Sequence, residues 1–371
     1  MKRLPGLDLM RAIAIGLVLW NHLGSVLLGP HPNATRQWWL TGPLGVDLFF
    51  ALSGYLIGRI LLNLEKSIPS PQGLVSFWSR RWLRTLPSYY LFLGINLLIV
   101  APSQGLSQRF LQKVIPYLYF GQTFHSRPYP FFTESWSLAV EEFFYLSFPF
   151  IWAVVIRVGV RPVVAFLSCA LVMLLLPLML RLQLDPGIPR FWITDVYDIT
   201  VFRLDGIAFG VLAAALSLRA PKLWARWSYP GLILGVFLLI LDWLILTDEK
   251  ANPFGFMLVW HFSVNGLGRA LLLPWCSRLG SLGVAGIERA VGAVARWSYS
   301  LYLVNLPVIV ALKGIFRIGP GDSLLRTFAM AAAFLATSLL ASAMLYRFLE
   351  KPILTFREHW KPAALKAPEH P

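Results

Sequence analysis

The sequence predicts an all-α protein threaded many times through a membrane, and three observations predict it. Hydrophobic residues make up 57% of the 371 and charged residues 14%, against about 25% charged in an average soluble protein. About ten apolar runs of membrane-spanning length recur along the chain, separated by short polar loops. Fifteen Trp and twelve Tyr are present, several near the ends of those runs, such as Trp38, Trp39, Trp192, Trp224 and Trp227, where aromatic belts meet the membrane interface.

The first run, residues 7–28, reads LDLMRAIAIGLVLWNHLGSVLL and carries Arg11 and His22. It begins too early and lacks a small-residue cleavage site, so it reads as a membrane helix and not a cleaved signal peptide. A loop rich in Gly, Pro and Trp follows over 29–43, with a glycosylation-like triplet Asn33-Ala34-Thr35 that has meaning only in a secretory compartment. The second run, 44–62, holds Asp47, Ser53, Gly54 and Arg59, and a polar loop with Arg80, Arg81 and Arg84 leads to the third, 86–100. Residues 110–124 are shorter and interrupted by Lys113 and Pro116, so length alone leaves open whether they cross or re-enter. The later runs are 136–156, 163–182, 200–218, 231–246, 255–275, 298–315 and 324–349.

The positive-inside rule decides the doubtful segment. If 110–124 does not cross, about ten spans remain, both termini are cytoplasmic, and the basic clusters at Arg80, Arg81 and Arg84, at Arg219, Lys222 and Arg226, and at Arg278, Arg289 and Arg296 all fall inside. The expectation is therefore about ten transmembrane helices plus one re-entrant or short non-spanning segment. Residues 1–350 form one membrane domain and 351–371 a short cytoplasmic tail with no room for a second domain. The net charge of +15 lies scattered in short loops, which marks topology and excludes nucleic acid as the partner. Cys169 and Cys276 fall in or beside apolar runs, so neither a disulfide framework nor a metal site is indicated. The second half does not repeat the first, which argues against a transporter built on internal symmetry.

Ionisable residues inside the bilayer point to chemistry, because they are costly there and face a protein interior or a wet cavity. Arg11 and His22 are eleven residues apart, which returns them to one helix face about 16 Å apart along the axis. The first helix runs outward, placing His22 about six residues from its outer end; the helix beginning near Trp136 runs inward, placing Glu141 and Glu142 at the same level. A carboxylate beside the imidazole would orient the ring, as a general base requires. The sequence does not say which glutamate faces the site. His261 lies at a similar depth and is a rival base, with no acid near it in sequence. At the inner end, Arg11 points toward Arg80, Arg81 and Arg84, and four guanidiniums near one surface suit phosphate oxygens. Taken alone, the RRxxR pattern is better explained by anionic lipid headgroups. Asp8, one turn before Arg11, could hold it in place.

At these residues the chain resembles the acyltransferase-3 family of integral-membrane O-acyltransferases. The resemblance rests on LDLMRAIA followed by His22, then GVDLFFALSGYLI, FWSRRWLRTLPSYY, TESWSLAVEEFFYLSFP, FRLDGIAFG and WSYSLYLVNLP, in that order. It implies transfer of an acyl group, commonly acetyl, from cytoplasmic acyl-CoA to a hydroxyl of an extracytoplasmic glycan or similar acceptor. A bacterial inner membrane is the setting it implies. It also implies that His22 is the catalytic base and that Arg11, Arg80, Arg81 and Arg84 bind the donor. No metal is implied. One departure stands out: Asn305 occupies a position where family members often have histidine. The rival class, argued from the residues alone, is a proton-coupled transporter or flippase using His22 and the glutamates as a relay. In the acyl-transfer reading Trp136, Tyr145, Tyr299 and Tyr302 could line the acceptor route.

Overall fold

The computed structural model describes residues 4–27, 41–104, 107–124, 131–184, 196–247, 254–316 and 323–359. All regular structure among them is helical. The first half contains α1 (Pro5–Leu27), α2 (Thr41–Asn63), α3 (Pro71–Gln104), the short α4 (Gln108–Leu118), α5 (Ser135–Arg157) and α6 (Pro162–Leu182). A 3-10 turn, Thr200–Phe202, leads into α7 (Leu204–Arg219), α8 (Pro221–Arg226) and α9 (Ser228–Thr247). The chain continues as α10 (Phe254–Val259), α11 (His261–Arg278), α12 (Ala285–Phe316), α13 (Leu324–Leu345), a π-helical turn at Tyr346–Glu350 and α14 (Lys351–His359). Trp38, Trp39, Trp192 and the Asn33 to Thr35 triplet lie outside the described residues.

Helices α2, α3, α5, α6, α9, α12, and α13 with its continuation are long and apolar enough to cross a membrane. The other three expected spans are present as α1, α7 and α11 but fall outside that set. Helix α7 has only 16 residues, about 24 Å, and α11 carries His261, Asn265 and Arg269. The doubtful segment forms α4, 11 residues capped by Ser107 and containing Pro116; at about 17 Å it is too short to cross. The run expected over 255–275 is broken at Trp260 into α10 and α11, which starts α11 with His261 facing α9.

Small residues let the central helices approach closely. A Cβ on Gly54 of α2 would lie 2.0 Å from the Ile207 carbonyl oxygen of α7, and one on Gly210 would lie 2.1 Å from that of Ala51. The large apolar side chains of α9 that remain exposed, including Ile233, Phe237 and Leu244, form a face suited to lipid. Trp224 does not join an interfacial belt: it is buried and stacks on Tyr55, with centroids 5.6 Å apart, while its Nε1 donates to Ser277. Its sequence position beside a polar loop hid the fact that α8 folds back onto the core.

A charged cluster holds the middle of the bundle. Arg203, immediately before α7, pairs with Asp47 of α2, and Arg269 of α11 approaches the same carboxylate at 3.9 Å. Arg181 of α6 pairs with Asp205 at 2.6 Å. His261 Nδ1 lies 2.9 Å from Asp242 Oδ1 on α9, and Asn265 bridges Asp242 to Arg269. All these side chains are nearly fully buried, so losing any one partner would strand a charge in a low-dielectric interior.

Candidate active site

Three cavities adjoin one another within the bundle. At one end a vestibule of about 660 Å³ is lined by Arg80, Arg81, Arg84 and Arg357, with Ser67, Ser70 and Ser76. It shares Ile60, Arg81 and Arg84 with a central cavity of about 260 Å³, lined also by Arg11, Ser53, Thr85, Glu141, Tyr145, Tyr299 and Tyr302. The central cavity in turn shares Val46 and Tyr302 with an end cavity of about 140 Å³, where His22, Glu134, Trp136, Tyr197 and Asp198 meet. Helix α1 contributes to two of these spaces, Arg11 to the central cavity and His22 to the end one.

The arginine end is built by α1, α3 and α14. Asp8 lies 3.7 Å from Arg11, one turn away on the same helix. Arg81 lies over the Tyr145 ring, 4.5 Å from its centroid, a cation–π contact that fixes the guanidinium. Arg357 comes from the tail: α14 folds against α3, and its Nη1 donates to the Arg80 carbonyl. The Nε atoms of Arg81 and Arg357 are buried with no hydrogen-bond partner among the described residues. Of the four predicted arginines, three line the central cavity and Arg80 lines the vestibule alone.

The two glutamates separate. Glu141 lines the central cavity and accepts from the Tyr145 hydroxyl at 2.8 Å, while that hydroxyl also meets Ser53 at 2.6 Å. Glu142 is turned 100° away on the helix and accepts from Thr85 at 2.7 Å. The expectation that a glutamate orients His22 is replaced by a different contact: His22 Nδ1 bonds to Asn305 Oδ1. The expected shared level does not hold: Glu134, seven residues earlier and about 10 Å back along the helix, lines the His22 cavity, while Glu141 opens on the arginine-lined one. The Asn305 Nδ2 sits 2.8 Å from the carbonyl oxygens of Leu301 and Tyr302. Only a donor tolerates two carbonyls, so Oδ1 must face the ring and His22 Nδ1 must carry the proton. His261, the rival base, lines none of these three cavities. Its partner Asp242 lies nineteen residues back on a neighbouring helix, which sequence proximity could not reveal.

Sequence reasoning missed Glu134, Asp198 and Arg357. A signal existed for Glu134: it stands seven residues before Glu141, the spacing that returns a helix to the same face. Glu134 and Asp198 are both 5% exposed and line the His22 cavity, and Glu134 Oε1 has no hydrogen-bond partner among the described residues. Both lie outside the membrane-spanning helices. Burial pushes the Glu134 carboxyl up to about 8. It pushes Asp198 up to about 7 against the opposing charge of Arg203.

Residues 4–347 match the acyltransferase domain family, and the chain belongs to it. Among its relatives is the O-acetyltransferase OatA of Staphylococcus aureus strain NCTC 8325 / PS 47, 26% identical over 373 residues that cover 95% of this chain and 57% of the relative. OatA of S. aureus strain COL matches at the same identity and coverage. The chain thus spans a little over half the length of these relatives. No solved structure matches it.

Proposed function

We propose that this domain transfers an acyl group, acetyl in the first instance, from cytoplasmic acyl-CoA to a hydroxyl of an extracytoplasmic glycan or similar acceptor, with His22 as general base. The observation that carries the proposal is the row of three adjoining cavities, which joins five arginines at one end to a histidine of defined tautomer at the other. The family match and the relatives' name support acyl transfer, and acetyl as the group.

The donor's phosphates fit the arginine end. Arg81 and Arg357 each hold a buried Nε with no hydrogen-bond partner among the described residues, and guanidiniums are suited to phosphate oxygens. Arg80 and Arg357 act at the vestibule, Arg81 and Arg84 where it narrows, and Arg11 within the central cavity. Glu141 and Tyr145 position Arg81, and Glu142 braces α3 through Thr85. A donor held this way extends its thioester along the face of α1 toward His22, a rise of about 16 Å.

At the far end, Nδ1–H of His22 is committed to Asn305, so Nε2 carries the lone pair. His22 Nε2 removes the proton of the acceptor hydroxyl as its oxygen attacks the thioester carbonyl. The C–S bond then breaks, the thiolate leaves, and the imidazolium returns the proton to sulfur. The new bond is an ester, and the histidine ends in its starting state.

The test is acyl transfer in proteoliposomes with labelled acetyl-CoA and a hydroxyl acceptor on opposite sides. Thioester consumption that depends on His22 and on acceptor is the expected result. Solute movement coupled to protons, with the thioester untouched, would instead favour a transporter.

A further inference from the structure

The mechanism above leaves two groups of the His22 cavity without a role. Glu134 and Asp198 come from different elements, the entrance of α5 and the segment before α7, and meet in one space of about 140 Å³. Neither makes an ion pair with an arginine or lysine among the described residues, whereas Asp47 and Asp205 nearby pair with arginines and Asp242 meets His261. Glu134 is nine-tenths buried and lines the cavity, and its Oε1 has no hydrogen-bond partner among the described residues. A buried acceptor without a partner costs about 1–3 kcal/mol, which the fold tolerates where a ligand supplies the missing bond. Trp136 and Tyr197 stand against each other in the same wall, with ring centroids 4.7 Å apart.

We propose that Glu134 and Asp198 form an acceptor subsite that takes two further hydroxyls of a polyhydroxylated ring, with the ring's C–H face against Trp136 and Tyr197 and the reacting hydroxyl at His22. Carboxyl oxygens accept from sugar hydroxyls, and an aromatic wall suits the apolar face of a pyranose. A carboxyl that is partly protonated near neutral pH both donates and accepts, as a hydroxyl does. The subsite rests on the acyl-transfer reading for its reacting hydroxyl, but its binding is measurable without turnover.

The experiment is saturation-transfer NMR on the full chain in nanodiscs, using three six-membered rings: methyl α-glucopyranoside, cyclohexanol and cyclohexylamine. Wild type is expected to give signal from the glucoside and to prefer it over cyclohexanol. Glu134→Leu and Asp198→Asn should each weaken glucoside binding about tenfold, the effect of one hydrogen bond to a charged or partly charged group. Glu134→Leu should also raise the melting temperature, because an unsatisfied buried oxygen is removed; a structural role predicts a fall. Acetyl-CoA affinity serves as the check on folding. Unchanged glucoside binding in both variants would overturn the subsite, as would a wild type that binds cyclohexylamine in preference. Glucoside binding that depends on Glu134, together with an untouched thioester in every assay, would keep the subsite and remove acyl transfer.

Discussion

Asn305 and His22 stand 283 residues apart in the chain and share a hydrogen bond between Oδ1 and Nδ1. Because the amide nitrogen is already committed to two carbonyls, this contact selects the tautomer that puts the lone pair on Nε2. Asparagine therefore does what a second histidine would do only in one of its own tautomers. Replacing Asn305 by Leu should lower kcat about ten- to hundredfold, the loss of one hydrogen bond in a desolvated site, with the KM for donor little changed. Asn305→Gln keeps both the donor and the acceptor of an amide and should retain more activity than Asn305→Leu. Steady-state kinetics in membranes check both, and equal rates in the two variants would remove the orienting role.

His22→Ala removes the base itself, and a fall of about 10²- to 10⁴-fold in acyl transfer is expected from the usual contribution of general base catalysis. Acetyl-CoA binding should survive, since the arginines lie in other cavities. Undiminished turnover would take His22 out of the reaction.

The arginines should divide by depth. Arg81→Ala and Arg84→Ala, at the narrowing between vestibule and central cavity, should each weaken acetyl-CoA binding about tenfold, as loss of a charge-assisted bond does. Arg357→Ala, in the wider vestibule, should cost less and lose more of its effect in high salt, since the larger space admits screening ions. Arg81→Lys should not restore binding, because an ammonium offers no planar fork. Calorimetric titration distinguishes these cases; identical losses at all three positions would contradict the graded geometry.

A methyl group at Gly54 would fall 2.0 Å from the Ile207 carbonyl oxygen. The α2 and α7 helices would have to separate, so Gly54→Ala should destabilise the protein by about 1–3 kcal/mol, as overpacking commonly does. Thermal unfolding in detergent measures this, and an unchanged midpoint would show that the helices can part freely.

Stability should also depend on pH through Glu134. Its carboxyl titrates at about 8 in the folded protein, against an ordinary value of 4.5. The folded state thus binds the proton more tightly than the unfolded chain. Its stabilising contribution is full below about 4.5 and is lost as pH rises through about 8. The melting temperature should fall over this window in wild type and fall less in Glu134→Leu. Parallel curves for the two proteins would refute the assignment.

The fold was legible in the sequence because long apolar runs are a property of the chain itself. Each expected span has a helix, and α4 is short where Lys113 and Pro116 interrupt it. The site was legible along α1, where helix period alone puts Arg11 and His22 on one side. It was illegible across helices. The span bounds read from the sequence put Glu141 level with His22, whereas Glu134 shares the His22 cavity, Glu141 the arginine-lined one, and the ring meets Asn305. Asp198 and Arg357 reach their cavities only because the segment before α7 and the tail helix fold back, which no local pattern records.

The buried pairing of Asp47 with Arg203 and Arg269 has a consequence for how the protein is made. Synthesis delivers α2 to the bilayer with its carboxylate more than 150 residues ahead of the nearest of its cations. Until then Asp47 must remain hydrated or protonated, and α7 and α11, short or polar on their own, gain a stable place only by docking on α2. Insertion of the first half is therefore provisional, and completion of the second half fixes it. A ribosome stalled before Arg203 should leave a nascent chain that an intramembrane protease can clear, and release beyond Arg269 should end that susceptibility.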